Sequence, residues 1–317
     1  LTPNELVLLN MIEIKGVTKK FGEITAVKGI SFAVKKGEVL GFLGPNGAGK
    51  TTTMKLITGF WQADQGQVLI DGLDNVTHSK ESRAKIGYLP ETVPLYDEMK
   101  VYEYLRFIAS IRDITPEMIL PRIKEVVEIC NLHSVIGKSL DELSKGYRQR
   151  VGLAQAIMHN PDILILDEPT TGLDPNQIAE IRELIKKIGK EKTVIFSTHI
   201  LAEAQATCDR VVIINKGQIV AEGRPEELAQ ALKSQELVTL KLRAKGSEVT
   251  TALATLADLK NIKIVSEEAG LTTVTMESSA RDEGVALGEL LVKRAWPVCE
   301  LVRGGVSLEE VFRELTK

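Results

Sequence analysis

The stretch "VLGFLGPNGAGKTTTMKLITG", Val39–Gly59, decides the fold. It opens with a short apolar run, which reads as a buried strand. A glycine-rich turn follows. Then comes a segment that reads as a helix stopped by Gly59. Gly44–Thr51 fits the pattern G-x-x-x-x-G-K-[ST], in the strand–loop–helix context the pattern requires. In such a loop, glycines let backbone N–H groups wrap phosphates. Lys50 is expected to reach the β- and γ-phosphates, and the Thr51 hydroxyl to bind Mg²⁺.

Further strands surround this one. "GQVLIDG" (Gly66–Gly72), "DILILDEP" (Asp162–Pro169) and "TVIFSTH" (Thr193–His199) are strand candidates, and "RVVIINKGQIVAEG" reads as a hairpin turning at Asn215–Gly217. Alternation with helices gives an α/β class with parallel strands at the centre. Between Met99 and Asn160 the pattern is nearly all helical. Asp167 and Glu168 end a buried strand side by side, where two carboxylates repel and lose hydration. Asp167 can approach Mg²⁺, and Glu168 can accept a proton from an attacking water. His199 ends the next strand, at the sheet edge where α/β folds bind ligands. It is open to two readings, a solvated side chain or a γ-phosphate contact. Phe21 is open to two as well, a core residue or an exposed ring that stacks on a base.

The chain has 317 residues, enough for about two domains of roughly 150. A net charge of −3 argues against a nucleic-acid partner held by phosphate electrostatics. Cys130, Cys208 and Cys299 are scattered and form no zinc or disulfide pattern. No apolar run approaches the roughly 20 residues needed to span a bilayer. Residues 1–10 lack the features of a signal peptide and read as a tail. Residues 11–229 read as the α/β domain, with a helical subdomain at about 93–160. "GRPEELAQALKSQE" (Gly223–Glu236) reads as a connecting helix. Residues 230–317 carry the order β-α-β-β-α-β and then α, a small α+β, ferredoxin-like accessory domain.

Taken together, the motifs resemble the nucleotide-binding subunit of ATP-binding-cassette (ABC) transporters over roughly Met11–Leu228. The resemblance rests on Phe21, "GPNGAGKTT", "YLPE", "LSKGYRQR" (Leu143–Arg150), "LILDEP", "GLD" (Gly172–Asp174) and His199, in this order. It implies an ATPase that uses ATP and Mg²⁺, with Glu168, His199 and Lys50 catalytic. The implied nucleotide contacts are Phe21, Gly44, Asn46, Gly47, Ala48, Gly49, Lys50, Thr51, Thr52, Ser144, Gly146, Tyr147 and Asp174. The implied metal ligands are Thr51, Glu91 and Asp167. It further implies a dimer, homomeric or pseudo-symmetric, in which Ser144 and the Gly146 N–H of one copy close on the γ-phosphate held by the other. Location is expected in the cytoplasm, at the inner face of the cell membrane.

The chain departs from the family pattern at two places. Lys145 and Tyr147 stand where the usual Leu-Ser-Gly-Gly-Gln has glycine and glutamine, and Glu91 replaces a glutamine. The tail "SLEEVFRELTK" resembles exporter subunits that work with separate membrane proteins. An importer subunit with a regulatory tail is the alternative, and a soluble ABC ATPase a further one. A GTPase is disfavoured because "NKGQ" lacks the Asp of the guanine-reading motif. Four of the five tyrosines fall at Tyr88, Tyr96, Tyr102 and Tyr104. Leu95 and Tyr96 are the expected anchor for a membrane permease.

Overall fold

A computed structural model describes residues 10–231, 236–256, 259–268, 270–278 and 284–305. The tail at 1–9, the segment 232–235 and the final helix candidate at 307–317 with "SLEEVFRELTK" lie outside the described residues. The chain divides into two compact units, the first running to Pro225 and the second starting at Glu226.

The first unit opens with two long strands, β1 (Asn10–Phe21) and β2 (Ile24–Lys35), paired antiparallel. The fully buried β3 (Val39–Leu43) follows and leads to α1 (Lys50–Ile57). β4 (Gln65–Ile70) returns beside β1, and β5 (Leu73–Asp74) beside β4. These give a four-stranded antiparallel sheet in the order β2-β1-β4-β5. The sequence pattern does not assemble this sheet. It marks Gly66–Gly72 as a strand but shows no hairpin ahead of it.

After α2 (Ser79–Ala84) and β6 (Ile86–Leu89) come three helices, α3 (Val101–Ile111), α4 (Pro116–Cys130) and α5 (Lys145–Ile157). Then follow β7 (Ile163–Asp167), α6 (Pro175–Gly189), β8 (Thr193–Thr198), α7 (Leu201–Thr207), β9 (Arg210–Asn215) and β10 (Gln218–Gly223). The central sheet has the order β10-β9-β3-β8-β7-β6. Every pairing in it is parallel except β10 with β9.

Two cores follow from the period-two alternation of strand side chains. On β7, Ile163 and Ile165 join the core that contains Ile12, Phe32, Phe42 and Met54. Leu164 and Leu166 join the other, with Leu105, Val126, Val151 and Ile185 from the helices. A strand buried on both faces carries no polar residue until its end, so Asp167 comes last. α6 starts where Asp174 caps it and Pro175 takes the first helical position, and it ends on Lys186 and Lys187, which suit the helix dipole.

α8 (Pro225–Ala231) crosses the division. The second unit has β11 (Glu236–Leu242), α9 (Gly246–Leu253), β12 (Leu259–Glu268), β13 (Leu271–Ser278), α10 (Gly284–Lys293) and β14 (Val298–Gly305). Its sheet is antiparallel in the order β12-β13-β11-β14, the β-α-β-β-α-β arrangement called ferredoxin-like. Val238, Leu240, Val249, Leu253, Val274 and Met276 form its own core.

Candidate active site

The carboxyl ends of β3, β8 and β7 lie side by side; β7 and β8 end in the polar Asp167 and Thr198, and β3 runs into the glycine-rich loop. The loop after β3 reaches α1 through Gly49, whose φ is 110° and where a side-chain carbon would lie 2.6 Å from the Ala26 carbonyl. Only glycine fits that approach. The N–H groups in the first turn of α1 lack carbonyls four residues back, and no side chain caps them. They face a pocket of about 290 Å³ lined by Ala26, Asn46, Gly47, Gly49, Lys50, Thr51, Thr52, Glu91 and Glu168. Gly44 and Ala48 help to hold the loop: a carbon on Gly44 would meet the Ile214 carbonyl at 2.5 Å, and the Ala48 carbonyl accepts from Gly217 N–H.

Lys50 is buried, and its Nζ lies 3.0 Å from Glu168 Oε1. It also donates to the Gly44 carbonyl at 2.8 Å. Asp167 Oδ1 accepts from the Ser197 hydroxyl at 2.7 Å and from the Thr51 hydroxyl at 3.2 Å. Asp167 Oδ2 is buried with no hydrogen-bond partner among the described residues. Burial pushes the Asp167 carboxyl above the usual carboxylate range; the Ser197 and Thr51 hydroxyls oppose this, while Glu91 and Glu168 add to it. An orphaned carboxylate oxygen beside a threonine hydroxyl fits a hard divalent cation. Among the described residues no cluster of three or more His, Cys, Asp or Glu is arranged to hold a metal alone. Phosphate oxygens and water would complete such a set, as Mg²⁺ prefers.

Glu168 adopts φ 50°, a left-handed conformation that non-glycine residues seldom take. Its N–H donates to the Ser197 hydroxyl at 2.9 Å. Its Oε2 accepts from the Thr171 hydroxyl at 2.8 Å and lies 2.8 Å from His199 Nδ1. Burial alone would raise its pKa. Hydrogen bonds from Thr171, Lys50 and His199 and the Lys50 charge outweigh that and hold it below the ordinary value. The adjacent carboxylates are thus driven apart, one up and one down, which separates their chemistry.

Residues 27–171 match the family described as ABC transporter. The uncharacterized ABC transporter ATP-binding protein YhcH of Bacillus subtilis (strain 168) is 36% identical over 309 residues, covering 96% of each chain. The chain belongs to the ATP-binding proteins of ABC transporters. The Nod factor export ATP-binding protein I of Ralstonia nicotianae is 30% identical, covering 96% of this chain and 94% of that relative. The probable multidrug ABC transporter ATP-binding protein YbhF of Escherichia coli (strain K12) is 38% identical over 74% of this chain, which spans 40% of that relative's length. A dimeric ATP-binding cassette in a post-hydrolysis state, bound to ADP and Pi, superposes with TM-score 0.62 at 29% identity, covering 68% of this chain and 98% of that one. Cassettes of this family bind ATP and are ATPases, and no helix among the described residues is long and apolar enough to cross a membrane.

The cassette's remaining expected residues are dispersed. Phe21 is 40% exposed at the end of β1; Trp61 meets it edge-on at 5.5 Å, and Lys19 Nζ, held 3.0 Å from Asp64, lies 5.6 Å from its ring centre. Trp61 belongs to none of the sequence motifs. Ser144 caps α5, accepting from Tyr147 N–H at 3.5 Å, and is exposed. Gly146 is buried against α6, where an added carbon would lie 2.8 Å from the Gln177 carboxamide.

Two further expected nucleotide contacts have partners within the chain. The half-buried Tyr147 packs against the helical core and pairs its hydroxyl with Ser134 at 3.1 Å. The Asp174 carboxylate caps α6, accepting from Asn176 and Gln177 N–H, each at 3.0 Å. Capping satisfies orphan helix donors. Ser197, Thr170, Thr171 and Glu203 are also polar members of the site's framework that sequence reasoning missed.

Proposed function

We propose that this chain is the ATP-hydrolysing subunit that powers a separate membrane permease, working as an exporter from the cytoplasmic side of the membrane. The observation that carries the reading is a pocket lined by Lys50, Thr51 and Glu168, with Asp167 bonded to Thr51 and His199 to Glu168. The α1 N–H groups and Lys50 cradle the β- and γ-phosphates. Arrival of the γ-phosphate competes with Glu168 for Lys50. That frees the carboxylate from its nearest cation and raises its basicity toward the water. Glu168 then takes a proton as the water oxygen bonds to the γ-phosphorus and the β–γ bridging bond breaks to ADP. His199 steadies Glu168 and reaches toward the γ-phosphate. Thr51, Asp167 and Glu91 would hold Mg²⁺, which supplies charge neutralisation of the phosphates when bound.

The exposed start of α5 then serves a second copy, with Ser144 and Gly146 N–H closing on its γ-phosphate. Two copies so arranged enclose two ATP sites. The dimeric neighbour structure supports this reading. Export is supported by the name of the Ralstonia relative, which covers nearly the whole chain. For the permease, Tyr96 is the anchor: it is 58% exposed and packs edge-on to Phe107 at 5.7 Å, whereas Leu95 is half-buried against the helical core.

Glu168→Gln tests the reading. It keeps the shape and removes the base. Turnover should fall about 10²–10⁴-fold, roughly 3–5 kcal/mol of barrier, while ATP binding survives. With MgATP the variant should elute as a dimer on size-exclusion chromatography. Wild-type turnover would sink the assignment of the base.

A further inference from the structure

Glu203 lies in α7, outside the walls of the phosphate pocket, yet it is 3% exposed. A carboxylate taken out of water is costly unless its oxygens are bonded. Only one oxygen of Glu203 is. Oε2 accepts from the Thr198 hydroxyl at 2.7 Å and from the Thr170 hydroxyl at 2.9 Å. Oε1 is buried without a hydrogen-bond partner among the described residues. An apolar residue of similar volume would fill this space at lower cost, so the carboxylate calls for a reason.

The two threonines supply one. Thr170 follows Glu168 by two residues, across Pro169, and Thr198 immediately precedes His199. The Thr198 hydroxyl also accepts from Ile200 N–H at 3.0 Å, so the chain is tied on both sides of His199. The Thr198 carbonyl accepts from Gly44 N–H at 3.3 Å, which carries the connection to the phosphate loop. Ser197 already bridges β7 and β8 at the level of Asp167. Glu203 adds a second bridge, from the last residue of β8 to the turn after β7. Glu168 requires such a hold, because its φ of 50° is strained for a side-chain-bearing residue and persists only where the surroundings fix it.

We propose that Glu203 is a positioning residue for ATP hydrolysis. By clamping Thr170 and Thr198 together it holds Glu168 and His199 in register across the β7–β8 edge, without touching nucleotide or water. The proposal rests on Glu168 being the base and His199 its partner at the γ-phosphate.

The test uses the full chain and reads kcat, KM for MgATP, binding of a fluorescent ATP analogue and melting temperature. All kinetics are run well below each variant's melting point. Glu203→Ala should lower kcat about tenfold or more, with KM and analogue binding nearly unchanged, because misplacement by a fraction of an ångström suffices. Glu203→Gln should recover most of the turnover, since its amide oxygen still accepts both hydroxyls. Thr198→Val should reproduce much of the Glu203→Ala loss, and the double variant should be no worse than the poorer single, as expected of one shared clamp. Should Glu203→Ala fail to fold, Thr170→Val and Thr198→Val, each deleting one hydrogen bond, carry the same test. Wild-type kcat in these folded variants would overturn the clamp. So would a loss that follows melting temperature and that Gln does not rescue. Glu168→Gln and His199→Ala in the same assay separate the two ideas. If these keep their turnover, the underlying roles fail. If these collapse while the Glu203 and threonine variants turn over normally, the clamp alone fails.

Discussion

Two helix starts in this molecule look alike in sequence and differ in what faces them. α1 begins at Lys50 with no side-chain cap, and the ends of β7 and β8 bring Asp167, Glu168 and His199 against it. α5 begins at Lys145 with Ser144 as its cap, and Ser144 and Lys145 are both exposed. One start is furnished by its own chain. The other presents a hydroxyl and a helix N-terminus outward, and in the proposed dimer it serves the first start of another copy. A phosphate-binding element is thus identified by what stands opposite it, and not by its own residues alone.

The largest effect should come from Lys50→Ala, which strips the furnished start of its cation. ATP affinity should fall roughly tenfold to a hundredfold, the range for a lost hydrogen bond to a charged group. Glu168, released from Lys50, should titrate at a higher pH than in the parent chain. Equilibrium titration with a fluorescent ATP analogue checks the first point; unchanged affinity would erase the contrast between the two helix starts.

The far end of α5 offers a sharper test of how that helix is held. His159, just past it, places Nε2 3.1 Å from the Ile86 carbonyl. Burial pushes its pKa down to about 4 from 6.5, with Arg112 adding to the shift and the Ile86 bond opposing it. The folded state therefore prefers the neutral ring. Its contribution is complete above pH 6.5 and is lost as pH falls toward 4. The loss amounts to at most about 3 kcal/mol, less where solvent reaches the half-buried ring. His159→Gln, which can still donate to the carbonyl but does not titrate, should flatten the acid limb of melting temperature against pH. An unaltered limb would show that other groups govern it.

A good part of this is legible in the sequence. The phosphate loop, the paired carboxylates and the parallel strands announce themselves because each needs a local run of one residue type. The β-α-β-β-α-β order of the second unit is visible for the same reason. The first sheet is not. β1 and β2 carry lysines and irregular pairing, with register shifts near Lys15–Lys20, so period-two alternation is broken. The clamp at Glu203 is hidden more deeply. Its hydroxyl partners lie five and 33 residues away, and only tertiary packing brings them to one oxygen. The local partners of Tyr147 and Asp174, a neighbouring serine and the first turn of α6, are likewise shown by none of the sequence motifs.

Smaller effects mark the edges of the comparison. Tyr96→Ala should leave the basal ATPase of the isolated chain nearly unchanged and weaken permease binding by about 1–2 kcal/mol, measured by pull-down alongside the ATPase assay. Unaltered binding would remove Tyr96 from the interface. Trp61→Phe should change ATP binding by less than about 1 kcal/mol, since an edge-on aromatic contact is worth roughly 0.5–1.5 kcal/mol and phenylalanine keeps part of it. In the parent chain, Trp61 emission should shift when nucleotide stacks on Phe21. A Trp61→Phe variant that still shows the full shift would assign it to Trp296 instead.

If the start of α5 in one copy completes the phosphate site of another, two inactive variants should restore activity when mixed. Ser144→Arg blocks the outward start with bulk and charge, and Lys50→Ala disables the furnished one. In a mixed dimer both defects fall on one composite site and the other site is whole. Steady-state ATPase across a full mixing series, with subunit exchange verified by differently tagged copies, should rise above both parents and peak near equal proportions. Activity that never exceeds the weighted sum of the two inactive parents would contradict shared sites.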